Sequence, residues 1–85
     1  MSRMKIVVKK KHIKNGVCSD PTECPIALAM TDAGARNTSV SSSRVSFISF
    51  NGKAVNTEFT QKIKKFISLF DRNQTVKPDT FTLTY

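Results

Sequence analysis

Cysteine, histidine, glycine and acidic residues are all scarce in this chain. Two cysteines and one histidine are too few to complete a four-ligand zinc site within one chain, and too few for a disulfide framework. Three glycines leave little for a phosphate-cradling loop, and no Walker A, Gly-x-Gly-x-x-Gly or Gly-x-Ser-x-Gly motif occurs. The six acidic residues, Asp20, Glu23, Asp32, Glu58, Asp71 and Asp79, are scattered, so no carboxylate cluster points to a divalent cation or to general acid–base work. No segment approaches the apolar length of a transmembrane helix, and residues 1–11 hold charges but no apolar signal-peptide core. The expectation is a non-enzymatic cytoplasmic protein with no catalytic residues, cofactor, metal or membrane contact.

Core material is present. With 85 residues the chain is one domain, 1–85, with one thin core. Hydrophobic residues at 39%, six Phe and one Tyr argue against wholesale disorder. The outlier is charge. Fourteen Lys and Arg against six Asp and Glu give a formal +8, a field that attracts nucleic acid, acidic proteins, anionic lipid or nucleotides.

Patterning predicts an α+β fold in the order β-α-β-β-β-α-β, a mostly antiparallel sheet with two helices on one face. Residues 4–10 read as a lysine-flanked edge strand through Ile6, Val7 and Val8, leading to a turn at Asn15-Gly16. Pro25 opens a helix over 25–33, with Ile26, Ala27, Met30 and Ala33 on one face and Gly34 as its stop. Residues 38–41 are expected as a short exposed strand. A stronger one follows at 44–50, where apolar parity shifts between Phe47 and Ile48 and implies a bulge or burial on both faces. Asn51-Gly52 turns the chain into a returning strand at 53–55. Phe59, Ile63, Phe66, Ile67 and Phe70 form one helical stripe over 57–72, with Asn56 or Thr57 as cap and Glu58 in the first turn. Residues 80–85 alternate Thr with Phe81, Leu83 and Tyr85 as a half-buried strand. The expected core joins Phe59, Ile63, Phe66, Phe70, Ile26 and Met30 to Ile6, Val8, Phe47, Phe81 and Leu83.

Several residues bear chemistry. Cys24, near a helix start, is either a thiol of lowered pKa or a small apolar cap residue; the second reading is preferred. His12 pairs with Cys24 as a base or, as preferred, is structural. Asp20 and Glu23 have capping-box spacing. Phe47 and Phe50 are either stacking platforms or, as preferred, core. The Ser-rich stretch 38–43 is an edge open to a partner's strand or a second copy or, as preferred, a polar hairpin arm.

His12-Ile13-x-x-Gly16, Cys24-Pro25-Ile26-Ala27-Leu28-Ala29 and Phe70-Asp71-x4-Val76-x-Pro78-x-x-Phe81-x-Leu83, taken in order, resemble a group of short uncharacterised phage and bacterial proteins. The likeness spans most of the chain. It implies an accessory protein of a phage or mobile element and carries over no established activity. That group tends to closer cysteines. Here five residues separate Cys18 from Cys24, which speaks against a shared metal site.

The basic residues fall into two groups. Lys5, Lys9, Lys10, Lys11 and Lys14, with Arg3, crowd the first strand and turn; Lys62, Lys64, Lys65 and Arg72 lie on the last helix. Packed side by side, they would form one polyanion-binding patch acting on phosphates through charge. Three expectations follow. The first is a nucleic-acid-binding accessory protein. The second is a modulator docking on the acidic surface of a host protein or ribonucleoprotein, such as a defence complex. The third is an oligomer, for example a homodimer, that sequesters an anionic nucleotide.

Overall fold

The first strand, β1 (Arg3–Val8), alternates strictly: Met4, Ile6 and Val8 are buried, while Arg3, Lys5 and Val7 are exposed. This is the period-two signature of a sheet with one wet face. Its partner is the last strand, β5 (Asp79–Thr84), in the register Met4↔Leu83 and Ile6↔Phe81, so the apolar sets of both strands share one face. Beyond the last pair, Ser2 and Tyr85 exchange backbone hydrogen bonds of 2.8 and 2.9 Å. The computed structural model describes residues 2–17 and 20–85.

Between these strands the chain runs α1 (Lys10–Asn15), α2 (Pro25–Asp32), β2 (Arg36–Val40), β3 (Arg44–Ile48), β4 (Ala54–Glu58) and α3 (Gln61–Asp71). The fold is α+β and every strand pair is antiparallel, with the expected elements in the expected order. Two details differ from the sequence expectation. Among the described residues the strands form two sheets, β1-β5 and β2-β3-β4. A third helix, α1, occupies what reads in sequence as a lead-in to the Asn15-Gly16 turn.

α1 has one turn and a half, too short to persist on propensity alone. It is held by His12, whose Nδ1 accepts the Lys9 N–H at 2.9 Å, the bond that a Glu side chain supplies in a capping box. Gly16 then lets the chain pass against α2. A Cβ there would lie 2.7 Å from Pro25 Cδ and Cγ and 2.8 Å from the His12 carbonyl oxygen.

α2 begins at Pro25 as expected, with Cys24 as its cap, and ends before Gly34, whose φ of +106° suits glycine. Ile26, Ala27, Ala29 and Met30 are buried; Ala33, expected on that face, is exposed and Ala29 takes its place. α2 packs on β1 and β2. The small alanines permit that approach.

The β3–β4 ladder runs without a shift from Arg44↔Glu58 to Ile48↔Ala54. The register irregularity lies in β2, between Arg36 and Ser39, where Asn37 has φ 50°. Phe47 is core and Ile48 is half-buried on the opposite face, which accounts for the parity change. The turn after β3 is closed by Gly52 N–H donating to Ser49 O at 2.8 Å, with φ +85° at Gly52.

β4 extends through Glu58, so α3 starts later than expected. Thr60, not Asn56 or Thr57, caps it, accepting the Ile63 N–H at 3.4 Å. Arg72 is its C-cap and Asn73 follows at φ 60°. The stripe Ile63, Phe66 and Ile67 is buried with Phe59, while Phe70, expected in the core, is only half-buried. One cluster joins both sheets and both longer helices. It includes Phe66 edge-on to Phe81 at 5.5 Å and Phe47 edge-on to Tyr85 at 5.3 Å.

Candidate polyanion-binding surface

The outer face of the two-stranded sheet is exposed among the described residues. Arg3, Lys5 and Val7 emerge from it beside their register partners Thr84, Thr82 and Thr80, and all six are exposed. At the end of β1 the chain passes through Lys9 into α1, where Lys10, Lys11 and Lys14 are exposed too. Lys5, Lys9, Lys10 and Lys14 form no ion pair among the described residues; Lys11 lies 3.4 Å from Asp32. Lys5 and Lys9 also flank a groove of about 440 Å³ whose other wall is Ala29, Asp32 and Ala33.

The α3 cations are arranged differently. Lys62 lies 3.8 Å from Asp79 and sits 5.7 Å above the Phe81 ring. Lys64 is 2.9 Å from Glu58, whose carboxyl that contact holds below the usual carboxylate range. Lys65 and Arg72 are exposed and form no ion pair among the described residues. α3 presses Phe66 against Phe81 on the inner face of the sheet, whereas Arg3 and Lys5 leave its outer face. Arg3 and Lys5 therefore leave the sheet on the face opposite Phe81 and Phe66. Asp79, the register partner of Val8, faces Lys62 of α3.

His12 is 3% exposed. Because Nδ1 accepts from Lys9, the remaining proton sits on Nε2, which donates to Asp32 Oδ2 at 2.6 Å. Asp32 is held below the usual carboxylate range, chiefly by His12 and then by Lys11. Cys24 is buried, its Sγ accepts the Ala27 N–H at 3.4 Å, and burial pushes its thiol pKa up. His12 and Cys24 are thus each engaged with a separate partner. Cys18 lies outside the described residues. Asp20 accepts from Thr22 N–H, Thr22 O–H and Glu23 N–H at 3.0–3.1 Å; it caps the turn before α2 rather than α2 itself.

Two expectations are corrected. Phe50 is 78% exposed at the β3–β4 turn, not core, because it follows the last paired residue of β3. The edge at 38–41 is not an exposed arm: Thr38 and Val40 are buried, and Val40 N–H donates to Pro21 O at 2.8 Å. Among the described residues no three His, Cys, Asp or Glu gather as metal ligands, and no helix is long and apolar enough to cross a membrane. Sequence reasoning missed Asp32 and Asp79 as the residues that decide which lysines stay free. Nothing in the local pattern marks them. Neither a family model nor a curated protein nor a solved structure matches the chain.

Proposed function

We propose that this protein is a small non-enzymatic module that binds polyanions, nucleic acid foremost, through the cations of β1 and α1. The observation that carries the reading is the set Lys5, Lys9, Lys10 and Lys14, all exposed and without a carboxylate partner among the described residues. Lysine is a compact charge that holds phosphates without reading bases, so the expected binding is insensitive to sequence. Each phosphate neutralised releases counterions, and log K falls with log salt by about 0.9 per contact on duplex DNA. Four contacts give a slope of roughly −3 to −4. In line with the resemblance, we place it as an accessory protein of a phage or mobile element, acting in the cytoplasm. The same surface would suit an acidic patch on a host protein or ribonucleoprotein.

The test is a titration of labelled single-stranded RNA and double-stranded DNA across salt concentrations, with a Lys9→Gln/Lys10→Gln/Lys14→Gln variant. The expected result is a slope flattened by roughly 2–3 in the variant, against little change in Lys65→Gln/Arg72→Gln. No binding at low salt would overturn the nucleic-acid reading. Equal loss in both variants would show a diffuse field instead of a surface.

A further inference from the structure

The edge of β4 carries no further strand in the described structure. β4 is bonded on one side only, since it is the terminal strand of the order β2-β3-β4. Ser49 N–H donates to Lys53 O at 2.9 Å and Phe59 N–H to Ser43 O at 2.8 Å. The unbroken register between those two bonds places Val55 and Thr57 in the same inward set, because bonded and non-bonded pairs alternate in an antiparallel ladder. The N–H and C=O groups of Ala54, Asn56 and Glu58 therefore point away from β3. No backbone group among the described residues bonds them.

Natural edges are usually blunted by proline, a bulge or an inward charge. β4 has no proline and no register shift. Beside it lies a groove of about 650 Å³, walled opposite β4 by Ser2, Arg3 and Tyr85, with Phe50 at the turn. The charged residues lining this groove, Arg3 and Lys53, are both cationic. Glu58, just beyond it, faces Lys64.

We propose that this edge takes an extended segment of a partner protein, rich in acidic and β-branched residues, as a fourth strand of the β2-β3-β4 sheet. The segment's backbone would bond Ala54, Asn56 and Glu58. Its carboxylates would meet Arg3 and Lys53, and an apolar side chain would lie against Phe50 or Tyr85. A five-residue edge spans about 17 Å, so the recognised segment is short. Charge argues for this occupant over a second copy, since pairing two chains of net charge +8 would bring like fields together. The site is separate from the α1 lysines.

The test uses the full chain and a fluorescein-labelled eight-residue peptide alternating valine and glutamate, read by anisotropy. Its control is the same peptide with every second amide N-methylated, in both parities, which keeps charge and side chains but removes strand addition. The protein variant is Asn56→Pro, which deletes an outward N–H without touching the β3–β4 ladder. Saturable binding that falls about tenfold or more with either N-methylated parity and with Asn56→Pro is expected. The Lys9→Gln/Lys10→Gln/Lys14→Gln variant should bind the peptide within about threefold, so failure here is distinguishable from failure of the nucleic-acid reading. Equal binding of the parent and both methylated peptides would overturn the proposal, and that arm stands even where Asn56→Pro fails to fold. So would a dimer of the free protein abolished by Asn56→Pro, or peptide displacement by oligo-dT that vanishes in Phe50→Ala.

Discussion

The two helices that carry lysine are built on opposite terms. α3 is anchored by an apolar stripe, Ile63, Phe66 and Ile67, and two of its cations, Lys62 and Lys64, face carboxylates. α1 buries one side chain, the polar His12, with Ile13 half-buried beside it, and three of its cations, Lys9, Lys10 and Lys14, face no carboxylate among the described residues. Charge count alone does not separate them; the positions of Asp79, Glu58 and Asp32 do. The difference teaches that a basic sequence becomes a basic surface only where the fold withholds its acids. Here that is the end of β1 and α1.

The comparison breaks most visibly on the α3 side. Phe66→Ala should destabilise the domain by about 3–5 kcal/mol, because a buried ring leaves a cavity next to Phe81. At roughly 4–8 °C per kcal/mol for a chain of this size, thermal unfolding should drop far enough to compromise folding near 37 °C. A shift of only a degree or two would mean that α3 is not the anchor described. Gly16→Ala comes next. Its Cβ would overlap Pro25 and the His12 carbonyl, and relieving this should cost about 1–3 kcal/mol, again read by thermal melting.

His12→Ala separates the two helices more sharply. It leaves the Lys9 N–H without its acceptor and should cost about 1–3 kcal/mol overall. Hydrogen exchange should show α1 amides losing protection while α3 amides keep theirs. Polyanion affinity should fall with α1, although no lysine has been removed. Unchanged α1 protection would show that packing on α2, not the histidine, holds the helix.

What is legible in the sequence follows the same division. β1, β5 and α3 announce themselves because their burial is periodic and local: Met4, Ile6 and Val8; Phe81 and Leu83; Ile63, Phe66 and Ile67. α1 is hidden because its cap is a histidine whose second contact, Asp32, lies twenty residues away. The start of α3 is misplaced because Thr57 and Glu58 read as a good helix entry, yet pairing with Val45 and Arg44 draws both into β4. Phe50 reads as core by composition and is exposed by its place in a turn. The lysines are visible as charge. Their neutralisation is not, since it depends on where the fold sets each carboxylate.

The gentlest probe acts on Asp32, which faces both His12 and Lys11. Its carboxyl titrates below the ordinary carboxylate value, so the ionised form is favoured in the folded state. The resulting stabilisation is complete above the unfolded-state pKa near 3.8 and disappears as pH falls through the lower folded-state value. Asp32→Asn keeps an oxygen to accept from His12 Nε2 but removes the charge. Its acid-unfolding profile should therefore lack the component that the native protein loses below about pH 4. The same change releases Lys11 from its counter-charge. Polyanion binding should tighten slightly, with a salt slope steeper by at most about 0.9, against no change in Glu58→Gln, which frees Lys64 on α3. If both variants tighten binding equally, net charge governs and the distinction between α1 and α3 fails. If Asp32→Asn alone does so, the site is local.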